Sequence, residues 1–248
     1  MRLRRAAHDE QLSLVEHLDE LRARLIVVLV VLTVAVAICF WKNNAIYHFL
    51  TGPIDHRKLI TLAPTEAFFN AVMIAVYGGL LITIPIISYQ IYAFIIPAFD
   101  PPTQRALRPL LVLVPSLFLI GVAFGWVVVI PPAVGFLTSF NSSEVHYLPQ
   151  ASAYIRFIML TLISMGLVFQ LPVVMMSLGR IGIVSSAGMK RRWRESTVAL
   201  AAFAALLPGV DPITMMAEFL PILGLYWFSY FLIRASERRR SVVPEPAP

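Results

Sequence analysis

Charge is scarce in this sequence. Asp, Glu, Lys and Arg together make up 14% of its 248 residues, where soluble globular chains carry about 25%. That shortage excludes an ordinary water-soluble domain. Cysteine is scarcer still: Cys39 stands alone, so no intramolecular disulfide is available, and its place inside an apolar run reads as simple burial. None of the five histidines (His8, His17, His48, His56, His146) falls in an apolar segment. No HExxH, GxSxG or glycine-rich phosphate loop occurs, so metallopeptidase, serine-hydrolase and nucleotide-driven chemistry find no support. The expectation is a protein that is not an enzyme and needs no cofactor and no metal. Internal repeats are absent too, which weighs against the inverted-repeat architecture of many secondary transporters.

What the sequence does hold is apolar length. Hydrophobic residues make up 58% of it, and its mean hydropathy is +0.78. Six apolar segments can be drawn: Leu25–Trp41, Ala67–Ile96, Pro109–Phe136, Ala153–Leu178, Thr197–Leu207 and Met215–Ile233. A helix needs about 20 residues to cross the hydrocarbon, so the fifth is short for a span and the second long enough to tilt or kink. Pro85 is the expected kink of the second. The first segment is longer than a signal-peptide core of about 7–15 residues and lacks a small-residue cleavage site, so it reads as a retained span. The fold class expected is all-α: a polytopic integral membrane protein with six transmembrane helices.

Orientation follows from the basic residues. With a cytoplasmic N-terminus, the inner connections are 1–24, 97–108, 180–195 and 234–248, and they hold all but four of the 20 Lys and Arg. Only Lys42, Arg57, Lys58 and Arg156 fall outside, and by the positive-inside rule both termini are cytoplasmic. The net charge of +6 thus orients the protein in its bilayer and implies no nucleic acid. The organisation expected is one membrane domain over 1–234, with an amphipathic ramp at 13–24, and a disordered tail over 235–248 rich in charge and proline.

The ramp is the most informative stretch. Ser13 with Glu16 reads as a capping box, and Leu14, Leu18, Leu21 and Leu25 share one face. Asp19 can pair with Arg22 and Glu20 with Arg24. These carboxylates stand where a helix enters the membrane, so an incoming basic peptide would meet charge and a low-dielectric wall together. Deeper, Gln170 lies within the fourth segment, beside Pro172, which opens the helix ladder; the pair reads either as interhelical glue or as a groove. Phe94, with Tyr89 and Tyr92, reads as an interfacial aromatic belt. At the outer side, Pro53 and Thr65-Glu66 mark structured loops, the latter a cap on the second helix, and Asp211 reads as a turn and cap residue. Glu218 reads as a residue reaching the outer interface.

These stretches carry a resemblance. EHLDELRARL (Glu16–Leu25), LAPTEAFF (Leu62–Phe69), YQIYAFIIPAF (Tyr89–Phe99), GLVFQLPVV (Gly166–Val174) and the Pro208–Pro212 turn are similar to the TatC family, the six-span core subunit of the twin-arginine protein translocase. The resemblance covers roughly residues 12–234. It implies a receptor for folded proteins with Arg-Arg signal peptides, in the bacterial cytoplasmic membrane, driven by the proton gradient. It also implies TatA/TatB-type single-span partners and a homo-oligomer in the assembled receptor. By position, Glu20 resembles the family's signal-binding glutamate, with Asp19 and Arg22 beside it. Thr103 stands where the family has a second such glutamate, and Asp100 is the candidate substitute. Gln170, with Pro172 and Phe94, would line a groove for the signal or a partner helix. Trp227 stands where some members have an acidic residue, which marks a divergent copy. The reading from another class is a small-solute transporter or channel, which would need paired charges or broken helices at the midplane.

Overall fold

The computed structural model describes residues 14–54, 59–99, 101–139, 149–209 and 211–241. Among these, all regular structure is helical apart from one bridge pair, Ile60 with Gln150. The first helix, α1 (Leu14–Trp41), is 28 residues long and fuses the ramp to the first span without a break. Uncharged from Leu25 onward, it has no reason to stop inside the bilayer. A short helix, α2 (Asn43–Leu50), and a 3-10 turn, Gly52–Ile54, follow across the far end. The second span is α3 (Glu66–Ile95), continuous through Pro85, and α1 packs along it. Small residues permit that contact: a Cβ at Gly79 would stand 2.5 Å from Val36 Cγ2 and 3.0 Å from the Val36 backbone. Cys39 is buried against the same seam, as expected.

After a 3-10 turn at Ile96–Ala98, the chain forms a short helix, α4 (Pro101–Leu107), within the inner connection 97–108. Two prolines suit a first helical turn, whose N–H groups lack partners anyway. The third span is α5 (Leu110–Phe124), a π-helical turn (Gly125–Val129) and α6 (Ile130–Ser139). Pro131 and Pro132 supply no N–H to the carbonyls of Val127 and Val128, and Ile130 N–H instead reaches the Gly125 carbonyl.

The fourth span is likewise two helices, α7 (Ala151–Val168) and α8 (Leu171–Arg180), broken at Phe169-Gln170 with Pro172 in the first turn of α8. Then come α9 (Ser186–Arg191), capped by the Ser185 hydroxyl, and α10 (Trp193–Ala204). The last helix, α11 (Pro212–Ser241), begins at an Asp211 cap. Among the described residues, five spans are long and apolar enough to cross a bilayer alone: those starting at Leu18, Glu66, Leu110, Ala151 and Pro212. The fifth crossing in chain order belongs to α10, whose twelve residues rise only about 18 Å.

The tail departs from expectation. Instead of ending near 234, α11 stays helical to Ser241, and Glu237 accepts a bond from the Ser186 amide at 2.9 Å and another from the Ser186 hydroxyl. Residues 242–248 lie outside the described residues, as does Ser13.

The core is layered along the bundle. At the end opposite the ramp, Leu50, Ile54, Ile74, Ile130, Val134, Tyr154 and Ile158 pack together. The middle is closed by Val129, Met165, Phe169, Ala204 and Ile222. Nearer the basic end, Ile96, Leu107, Leu110, Val114 and Val173 lock α4 and α5 onto α8.

Candidate functional site

Two polar features of the bundle sit against apolar grooves. The first is at the basic end, where α1 meets α3. One helical turn separates Glu20 from Arg24, so both side chains lie on one face, and the guanidinium closes onto the carboxylate with Nε 3.0 Å from Oε1. Arg24 then reaches across to α3, donating to Gln90 Oε1 at 2.7 Å and to the Ala93 carbonyl at 3.4 Å. The side chains of Arg24 and Glu20 are 24% and 30% exposed, so the pair is partly desolvated. Leu21, Leu25, Val28, Ile91, Phe94 and Ile95 line a groove of about 420 Å³ beside it, in which Arg24 and Gln90 supply the polar side chains. The Glu20–Arg24 pairing was legible in the spacing, but the Gln90 contact was not. Asp19 and Arg22 lie exposed on the same stretch.

The second feature is the break between α7 and α8. Gln170 is buried, and its amide nitrogen donates to the Val114 carbonyl of α5 at 3.0 Å. Its carbonyl oxygen is buried with no hydrogen-bond partner among the described residues. Leu167, Leu171, Val174, Phe203 and Ile222 frame a groove of about 410 Å³ at this point. Pro172 is buried beside it, in the first turn of α8. Gln170 is therefore glue toward α5 and at the same time lines a groove. Phe94, grouped with Gln170 and Pro172 from sequence, lines the other groove, between α1 and α3.

The remaining sequence candidates take these places. Thr103 is half-buried in α4, which packs on α8. Asp100 lies outside the described residues. Glu66 does not work with Thr65 as a cap on its own helix, since the Thr65 side chain makes no capping bond. Its carboxylate instead accepts from Leu62 N at 2.6 Å, from Gln150 Nε2 at 3.1 Å and from Ser152 N at 3.3 Å, so it serves the N-terminus of α7. Backbone bonds between Ile60 and the Pro149–Ala151 stretch complete that clasp. Pro53 is half-buried in the 3-10 turn nearby. Asp211 caps α11 as the sequence indicated, accepting from Thr214 N at 2.8 Å and from the Thr214 hydroxyl at 2.5 Å. Trp227 packs edge-on between Tyr226 and Tyr230.

Glu218 is what sequence reasoning misplaced. Rather than reaching an interface, it is 0% exposed, and neither carboxylate oxygen has a hydrogen-bond partner among the described residues. The sequence places it two turns past the Asp211 cap but carries no signal for which side of α11 is packed.

A bundle of long apolar helices with its basic residues gathered at the helix ends is a polytopic integral membrane protein of the all-α class. Sequence comparison refines this. Residues 16–221 match the family of the Sec-independent protein translocase protein (TatC), and the chain belongs to that family. It is 36% identical over 220 residues to the Sec-independent protein translocase protein TatC of a Synechocystis species, covering 88% of this chain and 87% of the relative. It is 33% identical over 233 residues to the chloroplastic TATC protein of rice, covering 93% of this chain and 65% of the relative. The chain thus spans about two thirds of that plant relative. Among solved structures, a crystal structure of the twin arginine translocase receptor TatC superposes with a TM-score of 0.76 at 30% identity, covering 90% of this chain and 100% of the other.

Proposed function

We propose that this protein is the signal-recognising core subunit of a twin-arginine translocase in a bacterial cytoplasmic membrane, with both termini in the cytoplasm. Family membership supports the role, and one observation supports the site: Glu20, at the mouth of the first span, holds a guanidinium in a partly desolvated setting beside an apolar groove. Arg24 is the occupant here. An arginine of a signal peptide presents the same planar fork, and a lysine presents a point charge without it. Asp19, Arg22 and Thr103, with Asp100, would complete the receptor's polar surface.

The groove at Gln170 and Pro172 is the docking place in this reading for a single-span TatA/TatB-type partner or for the apolar part of the signal. The apolar walls of Leu167, Leu171, Val174 and Phe203 suit the apolar face of a partner helix. Assembly into a homo-oligomeric receptor and coupling to the proton gradient belong to the same proposal. Glu66, Pro53 and Asp211 act structurally at the outer side. The small-solute transporter reading gains nothing from Glu218, which is buried without a paired charge in contact.

Co-purification with an Arg-Arg signal peptide and its Lys-Lys counterpart tests the reading. Retention of the first and loss of the second is the expected result, and equal retention of both overturns it.

A further inference from the structure

Resting on the assignment of Glu20 as the signal-binding carboxylate, we infer that Arg24 is an internal latch on that carboxylate, which an incoming arginine must displace. The geometry is that of a bound ligand. Both Nε and one terminal nitrogen of Arg24 face Glu20 Oε1, while the other terminal nitrogen is held by Gln90 Oε1 at 2.7 Å. A third contact runs to the Ala93 carbonyl. The guanidinium therefore has partners on two helices, α1 and α3, and does not simply lie along its own helix as exposed i, i+4 pairs do.

Displacement is feasible because the replacement is chemically equivalent. An arginine from outside restores the charge-assisted bonds to Glu20, and Arg24 keeps Gln90 and Ala93 as acceptors or swings to water at the groove mouth.

The latch has a consequence that separates it from a direct contact. Opening precedes the binding of any cation, so its cost lowers the apparent affinity of Arg-Arg and Lys-Lys peptides by the same factor. Arg24 sets the threshold for recognition and leaves the ratio between the two peptides unchanged. Glu20, which touches the peptide, sets the ratio.

Peptide titration of the purified, membrane-extracted protein at physiological salt tests this with four variants. Arg24→Gln is expected to tighten Arg-Arg and Lys-Lys peptides alike, by about three- to tenfold, from the release of one partly buried pair and its bond to α3. Arg24→Lys keeps the charge but lacks the fork that spans Glu20 and Gln90, and is expected to tighten both by a smaller factor. Gln90→Leu, which changes no charge, is expected to do the same. Weaker binding in Arg24→Gln overturns the latch and makes Arg24 a support for Glu20. Tightening in Arg24→Gln with none in Arg24→Lys or Gln90→Leu also overturns it, since general charge then accounts for the gain. Glu20→Gln separates the two claims. If it leaves binding unchanged, the site assignment itself fails, whereas loss of binding with no gain at Arg24 leaves the site standing and removes only the latch.

Discussion

Gln170 on the α7–α8 break and Val114 on α5 are joined by a single 3.0 Å bond from the Gln170 amide to the Val114 carbonyl, and the other end of the same amide is buried without a partner among the described residues. A residue used only as glue would satisfy both ends. Bonds of this kind inside membrane bundles average about 0.6 kcal/mol, and the unpaired oxygen offsets that. Gln170→Leu is therefore expected to leave thermal stability within about 1 kcal/mol of the parent while impairing export of a folded reporter or retention of the single-span partner. Intact export with a clearly lowered melting temperature would assign Gln170 to glue alone.

Glu218 makes an opposite prediction. A fully buried carboxyl with neither oxygen bonded is a cost to the fold in either protonation state. Replacing such a group by an apolar side chain of similar size removes that cost, so Glu218→Leu is expected to stabilise the detergent-solubilised protein by about 1–3 kcal/mol. Glu218→Gln, still polar, is expected to gain less. A loss of stability in Glu218→Leu would mean that the carboxyl has a partner in the native membrane. Export measured on the same variants shows whether the buried acid has been kept for function.

Close packing between α5 and α7 gives a third test. A Cβ on Gly121 would stand 2.6 Å from the Met165 carbonyl oxygen, and one on Gly166 would stand 2.5 Å from the Phe118 ring. The first obstacle is backbone and cannot turn aside, so Gly121→Ala is expected to cost about 1–3 kcal/mol. Gly135, inside α6, faces open space. Gly135→Ala is expected to be neutral or to stabilise by about 0.5–1 kcal/mol through helix propensity. Thermal melts of both variants side by side decide it.

The Glu66 clasp gives a fourth. Glu66→Ala strips acceptors from Leu62, Gln150 and Ser152 together, and its effect should be local loosening where the 59–66 stretch meets the start of α7. Faster amide exchange at Leu62 and Ser152 with a modestly lowered melting temperature is the expected outcome. Unchanged exchange at Ser152 would show that the helix end is satisfied by water.

Topology gives the fifth. Reporter fusions after Arg108, Lys190 and Arg240 should read cytoplasmic, and fusions at Arg57 and Val145 external. The decisive position is Lys190, because α10 is so short. An external reading there would mean that the α7–α8 span does not return the chain to the cytoplasm.

Much of this architecture is written in hydropathy, since a helix in lipid must satisfy its own backbone, and uncharged runs of about 20 residues have few alternatives. The first four segments were legible for that reason, and the Asp211 cap from the proline-flanked turn in which it sits. Burial was not, because hydropathy along a chain does not say which face of a span meets another helix. Glu218 was misplaced on that account, and Phe94 and Gln170 were grouped although they line different grooves. The extension of α11 through Glu237 was hidden by the opposite effect. A charged stretch beyond the lipid reads as solvated, yet Glu237 is tied to Ser186 at the start of α9. Thr65-Glu66 carried the correct signal of a helix cap, but the helix served lies 86 residues further on in sequence, at Ser152.

The π turn at Gly125–Val129 resets the direction in which the next helix faces. One residue more than an α-helical turn swings the following helix about its axis by roughly 100°. The third span can thereby address two sets of neighbours in succession: α5 faces α3 and α7, and α6 faces α11 and the Gly52–Ile54 turn. A single-residue deletion at Val127 or Val128 would erase the offset. Ile130, Ala133 and Val134, now buried, would then rotate toward lipid, although no apolar residue had been exchanged for a polar one. For this stretch, register is a stricter constraint than composition.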